Sequence, residues 1–158
     1  MSDTAATIIG ALIGFVGGLV AARAAYQQKA DELFFKALDF LGGGSQKRNL
    51  SVAAIELYWS NKRHRPVSVS LLIGSALYLL AESKQEDAAH ELHNLDRIMT
   101  HLMRRESRDA TSRRQYERLL EAVKAARKPG RATGLQVSEA QLAAWEKEIG
   151  QFVGSATV

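Results

Sequence analysis

The sequence predicts an all-α protein in which a single N-terminal transmembrane helix precedes a cytoplasmic helical bundle. The first observation behind this prediction is that residues 4–22 contain no charged side chain. The second is that the chain has only two prolines and repeated helix-capping signals after that run. The third is that no stretch alternates apolar and polar residues over the length of a strand. The chain beyond the apolar run, about 130 residues, is long enough for one hydrophobic core.

The uncharged run has the length of a membrane span and one face of small residues. At ~1.5 Å per residue it covers roughly the ~30 Å hydrocarbon core of a bilayer. Gly10, Gly14 and Gly18 follow one another at intervals of four residues, and Ala6 and Ala22 extend the same face. Small residues let transmembrane helices approach closely. We therefore expect this glycine zipper to pack against the same helix of another copy, which makes the protein a homo-oligomer among membrane lipids.

Two other interpretations of residues 4–22 are a cleaved signal peptide and a buried helix of a soluble protein. A signal peptide presents Lys or Arg before its apolar run, whereas only Met1, Ser2 and Asp3 stand there. A soluble helix loses roughly 1 kcal/mol for each glycine relative to alanine. Because Arg23 and Lys29 follow the span, the positive-inside rule predicts a single-pass protein whose N-terminus is outside and whose C-terminal part is cytoplasmic.

The membrane helix is expected to continue as a stalk, so that residues 1–41 form the first region and three glycines end it. Residues 42–128 then form the cytoplasmic helical domain, and residues 129–158 a turn and a C-terminal amphipathic helix. Ser45 is the predicted N-cap of the first helix in this domain. The predicted buried face of that helix consists of Leu50, Ala53, Ala54, Leu57 and Tyr58.

The next predicted helix has no charge over residues 67–81. Pro66 suits its first position, because a helix does not use the N–H group that proline lacks there. The run falls short of the usual length of a membrane span, and serines and a glycine dilute its hydrophobicity. We expect a central core helix, and a second membrane crossing is the alternative.

Three further helices are predicted from capping signals and apolar periodicity. Residues 83–86 match a capping box, and Ser112 and Ser138 begin the last two helices. The predicted buried stripe of the first is Ala88, Leu92, Leu95, Met99 and Leu102, opposite His90, His93, Arg97 and His101. The predicted core residues of the other two are Tyr116, Leu119, Leu120 and Val123, then Leu142, Trp145, Ile149, Phe152 and Val153.

The glycine-rich turn at residues 42–49 is the first candidate anion site. Glycines allow backbone N–H groups to approach a phosphate, and the start of a helix is partially positive. Two cations in the first turn are unfavourable there unless an anion, a lipid headgroup or a carboxylate compensates them. The alternative is a flexible turn between helices with solvated cations. The candidate ligand-binding residues are Gly43, Gly44, Ser45, Lys47 and Arg48.

A second basic cluster, Lys62, Arg63 and Arg65, lies at the other end of the same short helix. We include it in the candidate anion site, with a solvated loop or one resting on anionic headgroups as the alternative. A third group of arginines spans residues 104–118, where interspersed acidic residues favour surface ion pairs over a nucleic-acid groove. The net charge of +4 is compatible with nucleic acid without requiring it.

The sequence predicts no enzyme, no metal site and no cofactor. It contains no cysteine and no GxSxG elbow. His90 and His93 are one helical turn apart, but a zinc site needs three or four convergent ligands with a recognisable spacing such as HExxH.

The glycine-striped anchor, the helical domain and the glycine-rich QKRN turn together resemble small one-helix bacterial membrane effectors of anti-phage systems such as Hailong. The resemblance implies a homo-oligomer in the bacterial inner membrane whose cytoplasmic domains bind a nucleotide-derived ligand and control membrane integrity. The first hypothesis is therefore an anion-responsive, channel-like effector. The second is a structural or adaptor protein that tethers a helical bundle to the membrane and binds a protein partner.

Overall fold

The computed structural model describes the backbone of residues 3–83, 88–131 and 133–154, and the side chains of these ranges from residue 18 onward. Every regular element in the described residues is helical, which confirms the predicted all-α class. The helices are α1 (Asp3–Leu38), α2 (Ser45–Leu57), α3 (Arg65–Ala81), α4 (Ala88–Leu102), α5 (Arg105–Arg108), α6 (Arg113–Ala126) and α7 (Glu139–Gly154), with a short 3₁₀ helix at Asp39–Gly42 between α1 and α2.

The chain divides into two compact units, Met1–Lys36 and Ala37–Val158. In the first unit, α1 continues without a break beyond residue 22. Among the described residues, no helix combines the length and the apolar character that crossing a membrane requires. Of the predicted zipper, the side chains of Ala6, Gly10 and Gly14 lie outside the described residues, while Gly18 and Ala22 are exposed. The membrane anchor and its packing stay predictions.

The second unit is a helical bundle built around α3. One face of α3 packs against α4 and α6, while α2 packs against α4 and α7 against α6. This face is apolar except for Ser68, whose hydroxyl donates to the His64 carbonyl at 3.0 Å. Burying its large apolar side chains contributes about 1.5–3 kcal/mol each relative to leaving them exposed. Its most buried side chains are Val69, Leu72, Ile73, Ala76, Leu79 and Leu80.

The predicted buried face of α2 is wrong. Leu50 and Leu57 are 61% and 78% exposed, and Ala53 is exposed as well. The helix is rotated so that its buried face combines Val52 and Ile55 with polar residues. Those polar residues are acceptable inside because they have partners, which the periodicity of apolar residues cannot show. The helix also begins one residue earlier than predicted: Gly44, not Ser45, is its N-cap, and Ser45 is its first residue.

The helix α4 also differs from the prediction on its supposedly exposed face. His101 is only 5% exposed, although His90 and His93 are exposed as predicted. The predicted capping box at residues 83–86 falls mostly outside the described residues. The helix ends at Leu102, and the chain turns through Arg104 into α5.

The last two helices match their predictions at most core positions, although Leu120, Phe152 and Val153 are only half-buried. Ser112 is the N-cap of α6, and Tyr116, Leu119 and Val123 are buried. In α7 the backbone N–H of Gln141 donates to the Ser138 hydroxyl, 3.3 Å away. The buried residues of α7 are Leu142, Trp145 and Ile149.

The loop between α6 and α7 closes the C-terminal end of α3. Gly134 adopts a φ of 81° and its N–H donates to the Ser83 carbonyl at 3.1 Å, while the next N–H, of Leu135, donates to Leu79 at 3.0 Å. A Cβ on Gly134 would lie 2.1 Å from the carbonyl oxygen of Leu80. Only glycine fits this position, because both the left-handed backbone and the close approach exclude a side chain.

Candidate anion-binding site

In the glycine-rich turn before α2, Gly43 is closely packed, whereas Gly42 and Gly44 are exposed. A Cβ on Gly43 would lie 2.7 Å from Cδ of Lys47, so this glycine is needed for a close approach. Positive φ angles occur among the described residues only at Gly130 and Gly134, so the turn does not use the left-handed conformation. Ser45 is buried, and its carbonyl accepts a hydrogen bond of 3.1 Å from the Asn94 side chain.

Arg48 is buried against α4 instead of facing solvent. Its side chain is only 5% exposed, and it forms an ion pair with Glu91, which is 7% exposed. Nε of Arg48 donates to the Leu41 carbonyl at 3.2 Å, and Nη2 donates to the Gly43 carbonyl at 3.0 Å. The guanidinium also lies 5.3 Å from the centroid of the Tyr78 ring. All three guanidinium nitrogens therefore have acceptors inside the protein.

This arrangement accounts for one of the two cations in the first turn of α2. A carboxylate was one of the three groups that could compensate them, and Glu91 supplies it to Arg48. Lys47 is exposed and remains open to solvent. The turn therefore has a structural role, because Arg48 of α2 contacts the 3₁₀ helix through the Leu41 carbonyl and α4 through Glu91.

The loop after α2 presents the second predicted cluster. Two successive turns shape it: the N–H of Asn61 donates to the Tyr58 carbonyl at 2.9 Å, and the N–H of His64 donates to Asn61 at 3.1 Å. The Asn61 side chain accepts from the N–H of Arg63 at 3.1 Å, as in an Asx turn. Lys62 and Arg63 are exposed between these turns.

Trp59, two residues beyond the end of α2, is contacted by cations from two distant parts of the chain. The guanidinium of Arg65 lies 5.8 Å from the Trp59 ring centroid and that of Arg104 lies 6.0 Å from it. The His101 ring packs on the same indole with centroids 4.8 Å apart. Arg65 is further fixed because its Nη2 donates to the Trp59 carbonyl at 3.1 Å. We call Trp59, Arg65, His101 and Arg104 the Trp59 cluster.

A network of charged side chains lies beside this cluster. Arg97 pairs with Glu56 through two nitrogens, one of them 3.1 Å from Oε1, and the same oxygen accepts from Nε2 of His101 at 3.1 Å. Burial works to raise the pKa of Glu56, but hydrogen bonds from Arg97 and His101 outweigh it and hold the pKa below its usual value. The carboxylate therefore stays ionised and anchors both partners.

His101 is held in its neutral form. Burial lowers its pKa below the ordinary value, the hydrogen bond to Glu56 opposes this, and the charge of Arg104 lowers it further. Nδ1 is buried and has no hydrogen-bond partner among the described residues. An imidazolium needs partners for two N–H groups, so the geometry agrees with a neutral ring that donates only to Glu56.

Among the described residues, the cations around Trp59 outnumber the carboxylates. Arg65 and Arg104 lie over its ring, Glu56 pairs with Arg97, and the exposed Lys62 and Arg63 stand in the adjoining loop. Within the described residues neither Arg65 nor Arg104 forms a salt bridge. Most of the other arginines of the third group do pair, at 3.8 Å for Arg105–Asp109, 3.6 Å for Arg108–Glu148 and 3.2 Å for Arg113–Glu117. Arg104 thus belongs with the α2–α3 loop.

The two predicted basic clusters do not form one site. They lie at opposite ends of α2, whose 13 residues extend over about 20 Å. The structure adds Trp59, His101 and Arg104 to the loop cluster, and apolar periodicity could not identify these residues. The usable sequence signal was an aromatic residue three positions before a run of basic residues, since nucleic-acid sites combine cations with aromatic side chains.

The exposed histidines of α4 face a separate cavity of about 340 Å³. His90, His93 and Asn94 line it together with the start of α2. Among the described residues, no group of three His, Cys, Asp or Glu side chains is placed to hold a metal ion. No known protein family, curated protein or solved structure matches this chain.

Proposed function

We propose that this chain is a homo-oligomeric membrane effector whose Trp59 cluster, with Lys62 and Arg63, binds an anionic ligand of the nucleotide or oligonucleotide class. Ligand binding then controls membrane integrity through the predicted N-terminal helices. The observation that supports this most is that the guanidinium groups of Arg65 and Arg104 lie over the Trp59 ring and form no salt bridge within the described part of the chain.

The chemistry of the cluster suits phosphates attached to bases. Arginine donates to phosphate oxygens through a planar set of N–H groups, and a cation that has no internal carboxylate has most to gain from an external anion. Trp59 adds an apolar surface, on which nucleobases stack for about 1–3 kcal/mol each. The exposed Lys62 and Arg63 extend the positive field into solvent, where it accelerates the encounter with an anion.

A binding measurement with a fluorescein-labelled single-stranded oligodeoxynucleotide tests this proposal on the full chain in detergent. The variant Lys62→Gln/Arg104→Gln removes two cations and is expected to weaken binding at least about tenfold. Each lost phosphate contact also reduces the slope of log affinity against log salt by about 0.7 for a single strand. The matched control is Arg114→Gln/Arg118→Gln, which removes the same charge from exposed positions of α6.

Binding can be located as well as measured. Trp59 and Trp145 are the two tryptophans, so a Trp145→Phe background reports on Trp59 alone. We expect the oligonucleotide to quench Trp59 fluorescence, and an excess of inorganic phosphate to compete only weakly. Equal losses of affinity in the two double variants would mean that binding follows net charge, which contradicts the proposed site.

The membrane part of the proposal is tested in bacteria. Expression of the full chain is expected to slow growth and depolarise the membrane, and Gly14→Leu is expected to remove this effect because a bulky side chain blocks close helix packing. Lys62→Gln/Arg104→Gln is expected to lose the response to ligand while keeping the oligomer. A normal membrane potential at high expression, with or without oligonucleotide, would contradict the effector.

A membrane-tethered adaptor is the second candidate, and one observation favours it. Leu50 and Leu57 are strongly exposed on the same side of α2, where an apolar surface suits a protein partner. An adaptor predicts that Leu50→Ser/Leu57→Ser abolishes its cellular role, whereas an effector keeps depolarising the membrane in this variant.

A further inference from the structure

His101 is a titratable side chain packed directly against the proposed anion site. Its Nε2 lies 3.1 Å from Oε1 of Glu56, whereas Nδ1 is buried and has no hydrogen-bond partner among the described residues. The ring packs on Trp59 with the two centroids 4.8 Å apart. The imidazole is therefore held against the same indole over which Arg65 and Arg104 lie.

Four charged side chains surround the imidazole and the indole. They are Glu56 of α2, Arg65 of α3, Arg97 of α4 and Arg104 of the turn after α4. From α5, the Ser107 hydroxyl donates to the His101 carbonyl, while Arg105 is 92% exposed and lies 3.8 Å from Asp109. Because three of the four surrounding charges are positive, these surroundings oppose a further positive charge on the ring.

Arg104 connects protonation of the ring with anion binding. Burial is the largest cause that holds the pKa of His101 below its ordinary value, the hydrogen bond to Glu56 opposes it, and the charge of Arg104 lowers the pKa further. The Arg104 guanidinium lies 6.0 Å from the Trp59 centroid and belongs to the proposed anion site. A phosphate bound to Arg104 offsets its charge, and this removes one of the causes that disfavour the imidazolium.

We propose that protonation of His101 and anion binding at the Trp59 cluster favour each other, so that this site binds its ligand more tightly in mildly acidic conditions. The coupling is reciprocal, because two binding events on one protein must change each other's affinity by the same factor. This inference rests on the proposed function and adds a regulator, the proton, to the same site.

The expected gain in affinity is about three- to tenfold between about pH 7.5 and about pH 5 at low ionic strength. An opposite charge within ~4–6 Å changes a proton equilibrium by tenfold or more. A phosphate on Arg104 acts on the imidazole across the indole, from a somewhat longer distance at which salt begins to screen it.

Binding of an unlabelled oligothymidylate to the full chain in nonionic detergent tests the proposal, with Trp59 fluorescence as the signal in the Trp145→Phe background. Neither thymine nor a phosphodiester titrates in this pH range, so a change in affinity comes from the protein. The affinity is expected to rise three- to tenfold from about pH 7.5 to about pH 5. In His101→Gln it is expected to stay within about twofold, because the amide can donate to Glu56 but takes up no proton.

The remaining histidines provide the controls. His90→Gln/His93→Gln removes two exposed histidines from the same helix and is expected to keep the full pH dependence. His64 precedes Arg65 in the sequence, and His64→Gln is also expected to keep it. Loss of the pH dependence in His64→Gln, with its retention in His101→Gln, would overturn the assignment to His101.

NMR titration of the four histidine rings separates this inference from the anion site itself. His101→Gln identifies the resonance, and Arg104→Gln is expected to move its titration midpoint to higher pH without any ligand. Oligothymidylate is expected to move the midpoint in the same direction in the wild type. Equal affinity at both pH values, or a midpoint that neither change moves, would overturn the coupling and leave the anion site standing, whereas no binding at any pH would overturn both.

Discussion

Removing one member of the Arg48–Glu91 pair leaves a buried charge without its partner. Both side chains are almost fully buried, and Asn94 donates a further hydrogen bond of 3.3 Å to Glu91. Breaking a buried ion pair from one side typically costs about 3–5 kcal/mol. We therefore expect Arg48→Met and Glu91→Met each to lower the free energy of unfolding by about this amount, a large part of the ~5–15 kcal/mol that a domain has.

The double variant Arg48→Met/Glu91→Met is expected to cost much less than the sum of the two single variants. It buries no charge, and its main loss is the two hydrogen bonds to the Leu41 and Gly43 carbonyls. At about 1–1.5 kcal/mol for each unsatisfied carbonyl, the double variant should lose roughly 2–3 kcal/mol. The coupling energy between the two sites should therefore reach at least about 3 kcal/mol.

Urea unfolding of the full chain in detergent, followed by helical circular dichroism, measures all three variants. The same double variant should bind the oligonucleotide with unchanged affinity, because Arg48 lies roughly 16 Å from Trp59 along the direction of α2, at ~1.5 Å per residue. Two results would refute the reasoning. One is additivity of the single variants within about 0.5 kcal/mol, and the other is loss of oligonucleotide binding in a folded double variant.

Two further predictions concern the loop after α6 and the network beside Trp59. Gly134→Ala should lower the free energy of unfolding by several kcal/mol, because the added Cβ meets the Leu80 carbonyl. Gly130 has a similar positive φ but lies in open space, so Gly130→Ala should cost only about 1 kcal/mol. Equal urea midpoints for the two variants would contradict this. The pKa of His101 is lower in the folded protein than in the unfolded chain, where it is about 6.5. Below about pH 6.5 the unfolded chain therefore binds a proton that the folded protein does not. The free energy of unfolding should be greatest above this pH and fall as the pH drops towards the folded pKa. Thermal melts between about pH 7.5 and about pH 5 should show this fall in the wild type and a smaller one in His101→Gln, and identical profiles would contradict the burial of a neutral imidazole.

The helices of the second unit could be predicted where local signals agree with one another. In α6 and α7 a serine stands at each start, and strong apolar periodicity identifies Tyr116, Leu142 and Ile149 as core residues. Capping depends on residues within one turn, and periodicity depends on the helix itself. Such helices can therefore be predicted without knowing which residues pack against them.

The orientation of α2 could not be predicted in this way. Its buried face includes Arg48 and Ser51, whose partners are Glu91 on α4 and the Ala37 carbonyl. These partners lie up to 43 residues away in sequence, and a polar residue is buried only once such a partner is in place. A rule that buries apolar residues therefore selected Leu50 and Leu57, which are exposed.

The candidate site was predicted in part for the same reason. The cations at residues 62–65 are contiguous and visible in sequence, whereas Arg104 and His101 reach Trp59 only because α4 packs against α2. The burial of His101 in turn depends on Glu56, a residue 45 positions earlier.

The two ends of α2 differ in how their cations are balanced, and this difference decides where an anion is expected to bind. At the start, Glu91 and two carbonyls satisfy Arg48, so an external phosphate would have to displace a buried carboxylate. At the end, Arg65 and Arg104 lie over the Trp59 ring without a salt bridge to any described residue, and the carboxylate of the neighbouring network, Glu56, is shared between Arg97 and His101. Because His101 is neutral, it donates a hydrogen bond to Glu56 without adding a third positive charge beside the Trp59 ring. A phosphate at the end of α2 therefore gains charge–charge attraction without breaking an internal ion pair, and this favours the Trp59 cluster over the glycine-rich turn.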